Sequence, residues 1–515
     1  MSSFDGKKEL AYAQSVTQRH RKAFGQYFTD PVVARFMCGW ACKDAKKALD
    51  PAVGNSVFLK CASDVEPGCS LYGYEIDDRI LDFFGNPASA HISRSDYLLN
   101  GWDQQYDAIV CNPPYNRFQA VSNRAKILEE IRLHTGVSYS GYTNLYILFL
   151  IKSIFQMSGR GRLAYLIPSE FLNSTYGAAI KKQMIEQRLL YAILNFSNDR
   201  DLFFGATTTC CILLLDREEK DEIRFYNVSS ADRLKAPAAA VLEKESFVAV
   251  KYADIRPDAK WREYLFHEEA AAYRNLARLS DFCTVSRGIA TGANRFYCFN
   301  KSRIEETRIP EPFFSRCVCR SADVSQGVFT EKEFERLSKQ DKTVYLLDVR
   351  DRPTEELEEY IRRGETEGVH EKYLPAGRSP WYSMEQKAPA PIWVGSAGRG
   401  RIKFVRNLAG VKALTTFHSV YVRDRYRNDT DLIFCYFLTP AAQTILRMNR
   451  KELGNGLEKF QPNDLNSASM LDITVITPED RETILNIFHS LTGTVPEAEL
   501  ETLNGIFLNY LTDAL

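Results

Sequence analysis

From about residue 46 to residue 216 the chain alternates short apolar runs rich in β-branched and aromatic residues with longer stretches of helical periodicity. Regular alternation of that kind buries both faces of a sheet under helices, so it predicts an α/β, doubly wound, mostly parallel sheet. The predicted strands are Lys47 to Asp50, Leu71 to Glu75, Ala90 to Ser93, Tyr106 to Cys111, Arg162 to Ile167, Leu190 to Phe196 and Thr208 to Leu215. Past Asp216 the regularity is lost, and charged, proline-punctuated segments mix with short strands and helices. At 515 residues the chain is too long for one ordinary core. We therefore expect two domains, residues 1–235 and 236–515, divided in the Leu234-Lys235-Ala236-Pro237 region, with terminal helices from Pro478 onward. Ligands of doubly wound sheets bind outside the carboxyl ends of the strands.

Composition narrows the class. Apolar content of 45% and charged content of 26% are those of a soluble globular protein. The twelve cysteines include no Cys-x-x-Cys pair, and the seven histidines are isolated from them, so no metal site is expected. Without a signal peptide in Met1 to Leu10, a reduced cytoplasmic protein of bacterial or archaeal type is expected. The apolar run Leu145 to Ile151 is too short to span a bilayer. A net charge of zero means that any nucleic-acid surface must be local.

The strand at Tyr106 to Cys111 ends in Asn112-Pro113-Pro114-Tyr115. Two prolines fix two consecutive φ angles and remove two backbone donors, which stiffens the segment and leaves its carbonyls free to accept. An Asn amide oxygen beside a Pro carbonyl can take both hydrogens of one amino group, and a Tyr just beyond can stack on the ring that carries it. The motif suits an aromatic exocyclic amine, a planar base above all. Asn and Pro also close ordinary strand-ending turns, so the tetrapeptide is weighed with its surroundings.

Those surroundings are acidic. The first strand ends at Asp50, followed by Pro51, Ala52 and a Gly54 turn into an apolar helix-like stretch. The next ends in Gly73-Tyr74-Glu75-Ile76-Asp77, with Glu75 at the distance where a ribose-binding carboxylate is expected. A third acid, Asp96, follows the strand ending at Ser93. Three acids at successive strand ends suit a nucleoside whose hydroxyls and amino group donate hydrogen bonds. Each alone is equally explained as a helix N-cap.

Together these segments resemble the γ-class N6-adenine DNA methyltransferases of restriction–modification systems, which use S-adenosylmethionine. Gly25-Gln26-Tyr27-Phe28-Thr29-Asp30-Pro31 resembles the segment closing over the methionine end of the cofactor, with Tyr27 and Thr29 as contacts. Asp50, Ala52 and Gly54 resemble the main cofactor loop, Glu75 with Ile76 the ribose contact, and Asp96 the acid near the cofactor adenine. Asn112, Pro113, Pro114 and Tyr115 resemble the catalytic motif, and Phe204 in Phe203-Phe204-Gly205-Ala206 the aromatic wall for the target base. One departure is Ser56, where the family usually has a second glycine; a slightly altered loop is expected. The resemblance implies a Rossmann-like methyltransferase sheet followed by a mixed α+β DNA-recognition domain. It implies that Asn112 and Pro113 accept the N–H groups of a flipped-out adenine, with residues 116–143 available to cover the displaced base.

The C-terminal half carries concordant signals. The stretch Val285 to Phe296 resembles the opening of the family's target-recognition region, and Gly454 to Pro462 a segment near its end. Within them and in the basic run Arg399 to Arg406, the candidate DNA contacts are Arg287, Gly288, Asn294, Arg295, Arg399, Arg401 and Lys403. The basic run reads equally as a solvated strand face. The expected partners are double-stranded DNA and a separately encoded restriction endonuclease, the chain acting as a monomer without a membrane. The alternatives are methylation of RNA, of cytosine N4 or of a protein amide, and a non-catalytic DNA-binding module. A fused nuclease is not expected, since only 24 residues precede Gly25.

Overall fold

The computed structural model describes residues 6–115, 123–141, 143–174, 177–196, 203–204, 209–266, 273–325, 327–398, 400–447, 451–453, 457–491 and 493–512. The alternating segments form one nine-stranded sheet. Numbered along the chain, its strands are β1 Lys47–Asp50, β2 Ser70–Tyr74, β3 His91–Ser93, β4 Tyr106–Cys111, β5 Met157–Pro168, β6 Leu190–Phe196, β7 Cys210–Asp216, β8 Glu222–Val228 and β9 Phe247–Lys251. Their spatial order is β9-β8-β6-β7-β5-β4-β1-β2-β3. Pairing is parallel except where β7 runs antiparallel to both β5 and β6, and β9 to β8. Strand order reverses between β1 and β4, which pair in parallel. At such a reversal the connections leave in opposite directions and open a crevice at the carboxyl ends.

The strands read as near-continuous apolar runs because both faces are covered. In β5, Leu163, Tyr165 and Ile167 join one core cluster, and Ala164 and Leu166 the other. On one face lies the helix Pro31–Ala41, started by Asp30, whose carboxylate accepts the Val32 N–H at 2.6 Å, with proline in the first turn. The helix Leu145–Gln156 is buried almost all round, which accounts for the apolar run at its start. No described helix is long and apolar enough to cross a membrane.

The expected boundary at residue 235 is corrected. The chain divides into a unit of residues 1–267 with 452–456 and a unit of residues 268–451 with 457–515. Residues 236–266 belong to the first because β9 completes the sheet edge on β8 and the fully buried Trp261 packs edge-on against Phe171, with ring centroids 6.2 Å apart. The Pro237 region that marked the boundary only starts the short helix Ala238–Lys244. The second unit has its own cores. One is a five-stranded sheet of segments 283–287, 417–422, 392–395, 404–407 and 327–329; the helices Thr430–Leu438, Pro478–Ser490 and Glu497–Leu511 share a cluster with it. The last two are the terminal helices expected from Pro478.

A fragment of residues 1–235 should therefore unfold at lower urea than one of residues 1–266, and Trp261→Ala should cost the full chain about 3–5 kcal/mol. Equal urea midpoints for the two fragments would return the boundary to residue 235.

Candidate active site

A cavity of about 450 Å³ lies at the carboxyl ends of the strands around the reversal. Its walls are residues 51–55 after β1, Glu75 and Ile76 after β2, Ser95 and Asp96 after β3, Asn112 and Pro114 after β4, and residues 23–29. Tyr27, Thr29, Ala52, Gly54, Glu75, Ile76, Asp96 and Asn112, far apart in sequence, thus surround one space. Asp50 does not line it. Its side chain is 1% exposed behind the loop, where Oδ1 accepts the Ala52 N–H at 3.1 Å and Oδ2 is buried without a partner among the described residues. Burial pushes its pKa up to about 8.

The loop after β1 turns through Gly54 at φ 52°, which aims the Gly54 N–H at Glu75 Oε2, 2.9 Å away. Glu75 Oε1 accepts the N–H groups of Ile76 and Asp77, each at 2.9 Å. Burial raises the pKa of this carboxyl, and the three backbone donors oppose that rise. Ser56 takes up the departure from the family loop by adopting the left-handed backbone itself, at φ 63°, with its hydroxyl bonded to Asn86 Oδ1. Asp96 does what the bland reading required of it, accepting the Leu98 N–H at 2.9 Å, and it also faces the cavity. The turn that follows Asp96 is held by the fully buried Lys152, whose ammonium donates to the carbonyls of Tyr97 and Asn100 and lies 4.3 Å from the Tyr97 ring centre. Burial lowers its pKa to about 7.

Asn112 is fixed from two sides. Its Nδ2 donates to the Tyr27 carbonyl at 3.1 Å and to Thr29 Oγ1 at 3.0 Å. A carbonyl only accepts, so the amide orientation is determined. Asn112 Oδ1 is then left buried with no hydrogen-bond partner among the described residues. The Tyr115 ring is engaged inside the protein: it stacks on Tyr27 with centroids 5.6 Å apart, and its hydroxyl donates to the Leu166 carbonyl at 3.1 Å. The Phe203–Phe204 backbone pairs antiparallel with Phe28–Thr29, which sets the later aromatic motif beside the residue that holds Asn112. Gly205, Ala206 and residues 116–122 and 142 lie outside the described residues. Part of the expected cover, the helix Arg124–Thr135, packs on the core through Ile127 and Ile131, and Ile127 reaches the cavity. Gln26, Phe24, Leu145 and Phe149 also line the cavity. Neither helical periodicity nor composition singled them out, since they differ from core residues only in where the backbone turns.

Residues 11–256 match the family described as N-6 DNA Methylase, and residues 258–499 match the C-terminal domain of type II methyltransferase M.Eco57I. The chain is 36% identical over 493 residues to type II methyltransferase M.AccI of Acinetobacter calcoaceticus, covering 93% of this chain and 91% of the relative. It belongs to the N6-adenine DNA methyltransferases of restriction–modification systems. This methyltransferase is also 23% identical to type II methyltransferase M.HindII of Haemophilus influenzae, over 60% of the chain and 61% of that relative. Its fold is shared with the type IIL restriction-modification enzyme MmeI, solved in complex with DNA, at a TM-score of 0.59 and 13% identity, covering 98% of this chain and 73% of MmeI.

In the second unit of the methyltransferase, the expected DNA contacts separate into two kinds. Arg287 and Arg295 are exposed, and their side chains make no hydrogen bond or ion pair with a described residue. The others that are described also make contacts within the unit. A Cβ on Gly288 would stand 2.3 Å from the Leu414 carbonyl oxygen, which by itself requires glycine there. Asn294 Oδ1 accepts the Thr291 hydroxyl. Arg401 pairs with Glu497 at 2.8 Å, and Lys403 donates to the Ser321 carbonyl at 2.6 Å. Arg399 and residues 454–456 lie outside the described residues.

Asp50 generates a pH signature. Its pKa is higher folded than unfolded, so its contribution to stability is complete at low pH. Stability falls as the pH rises from about 4 towards 8, by up to about 1.4 kcal/mol per unit. Asp50→Asn should flatten this slope in urea titrations at pH 5 and 8; an unchanged slope would mean that Asp50 is ionised in the folded protein.

Proposed function

We propose that the cavity binds S-adenosylmethionine and that Asn112 and Pro113 receive the N6 amino group of an adenine turned out of the DNA duplex. The observation that carries this reading is the Asn112 amide, with both of its N–H donors taken by the Tyr27 carbonyl and Thr29 Oγ1 and its own oxygen buried and unpartnered among the described residues. A buried acceptor without a donor costs roughly 1–3 kcal/mol, and a ligand amine relieves that cost. The Pro113 carbonyl is the adjacent acceptor and takes no hydrogen bond from a described group.

The walls suit the cofactor. Glu75 has about four acceptor positions, and three backbone N–H groups occupy three of them. One position remains for a ribose hydroxyl. Ile76, 58% exposed beside it, offers an apolar face to a purine, and Asp96 stands at the next strand end. Tyr27, Thr29, Ala52 and Gly54 close the methionine side. S-adenosylmethionine, when bound, supplies a methyl group already activated on a sulfonium. The protein's share is placement. Asn112 Oδ1 and the Pro113 carbonyl accept both amine hydrogens and turn the nitrogen lone pair away from its ring. Tyr115, braced by Tyr27 and Leu166, and Phe204 are the proposed walls for the base. Turning the base out of the stack costs about a few kcal/mol, which these contacts and the second unit offset. In that unit Arg287 and Arg295 are the proposed phosphate contacts.

Asn112→Ala should abolish methyl transfer, measured with labelled cofactor on duplex DNA, while S-adenosylmethionine still binds by calorimetry; near-normal turnover would refute the role of Asn112. Arg287→Ala or Arg295→Ala should weaken binding to all sequences alike and reduce the salt slope by about one unit. A salt slope identical to that of the unaltered chain would remove that arginine from the interface.

A further inference from the structure

The Glu75 side of the cavity and the segment that holds the Asn112 amide are joined through one buried side chain that does not line the cavity. Asp77 is 5% exposed and is not part of the cavity wall. Its Oδ1 caps the following helix by accepting the Arg79 N–H at 3.2 Å. Its Oδ2 faces the N-terminal helices Lys7–Ser15 and Gln18–Phe24 and the segment after them. There it accepts from Gln26 Nε2 at 2.6 Å, His20 Nε2 at 2.7 Å and the Tyr12 hydroxyl at 3.2 Å. The backbone N–H of the same Asp77 is one of the donors that hold Glu75 Oε1. Gln26 immediately precedes Tyr27, whose carbonyl holds Asn112 together with Thr29.

We infer that Asp77 is a positioning residue that couples occupancy of the cavity at Glu75 to the placement of the Asn112 amide, through its grip on Gln26. This rests on the cavity being the S-adenosylmethionine site. The Glu75–Asp77 turn is built on the Glu75 carboxylate, and Asp77 Oδ2 holds Gln26 next to the residues that present two acceptors to Asn112 Nδ2. A ligand hydroxyl on Glu75 would reinforce the same chain of contacts. Other N-terminal ties include the Asn55–Glu9 hydrogen bond at 3.0 Å and the apolar packing of Tyr12 with Phe28, Ile80 and Phe84, which fasten the helices. The Tyr12 hydroxyl stands 3.2 Å from both Asp77 Oδ2 and Gln26 Oε1 and so belongs to the same Asp77 cluster.

Asp77→Asn tests this role. The variant removes the charge that Tyr12, His20 and Gln26 share, so the Gln26 grip is weakened whichever way the amide turns. The test measures hydrogen exchange of residues 26–30 in the full chain, with and without S-adenosylhomocysteine. It is paired with single-turnover methyl transfer on a duplex whose site has been identified by methylation-sensitive sequencing. Asp77→Asn is expected to lose the analogue-dependent protection and to slow transfer by about tenfold or more, the effect of one lost hydrogen bond to a charged group. The analogue's Kd should change much less than the rate. Gln26→Glu, which sets two carboxylates against each other, should reproduce the loss, and the double variant Asp77→Asn/Gln26→Glu should recover protection and rate. Unaltered protection in Asp77→Asn, or no recovery in the double variant, overturns the inference. Failure of the unaltered chain to bind the analogue overturns the cofactor reading along with it, so the two failures are told apart.

Discussion

The amide of Asn112 is held by a carbonyl and a hydroxyl that lie more than eighty residues away in the chain, and the rest of the site is arranged around that hold. Two acceptors on one side of an amide determine which atom faces the other side. With Tyr27 and Thr29 fixing Nδ2, the amide oxygen is left facing away from them. The short ladder of Phe28–Thr29 with Phe203–Phe204 serves the same end: it ties the segment that orients Asn112 to the strand that carries the second aromatic motif.

Around this point the fold sustains several unfavourable groups. Asp50 is buried with one oxygen unpartnered, Lys152 is an ammonium buried among carbonyls and aromatic rings, and Ser56 occupies a left-handed backbone. Each costs stability locally, by desolvation or by strain. Asp50 ends β1 and Ser56 follows it at the reversal of sheet order, Lys152 lies under the turn after β3, and the two-sided apolar core of the sheet supports them. Such concentration of cost is what a preorganised site requires: polar groups already stripped of water when the ligand enters.

The second unit shows why a charge run is a poor guide by itself. Arg401 and Lys403 belong to the densest basic stretch of the chain, yet they are committed to Glu497 and Ser321, and Arg406 to Asp431 at 2.6 Å. Net charge along the sequence does not distinguish an arginine that holds two elements together from one that faces solvent. Arg287 and Arg295, in a less basic stretch, are exposed with side chains that make no hydrogen bond or ion pair with a described residue.

Much of the molecule follows from local chemistry legible in the chain. The bounds of Lys47–Asp50, Tyr106–Cys111 and Leu190–Phe196 match their apolar runs because a strand buried on both faces needs uninterrupted apolar residues and ends where polar ones begin. Asn112-Pro113-Pro114-Tyr115, Glu75 and Asp96 are legible for a related reason: strand ends in a doubly wound sheet are where ligands sit, and their residue types state the chemistry. What only the tertiary structure decided depends on contacts between distant residues. Residues 236–266 join the first unit because β9 and Trp261 complete a sheet edge, which no local composition signals. Asp50 turns out to stand behind the loop, Gly288 to clear a neighbouring carbonyl, and Asp77 to gather Tyr12, His20 and Gln26. A sequence states which donors and acceptors a chain possesses; which of them meet is set by how the backbone packs.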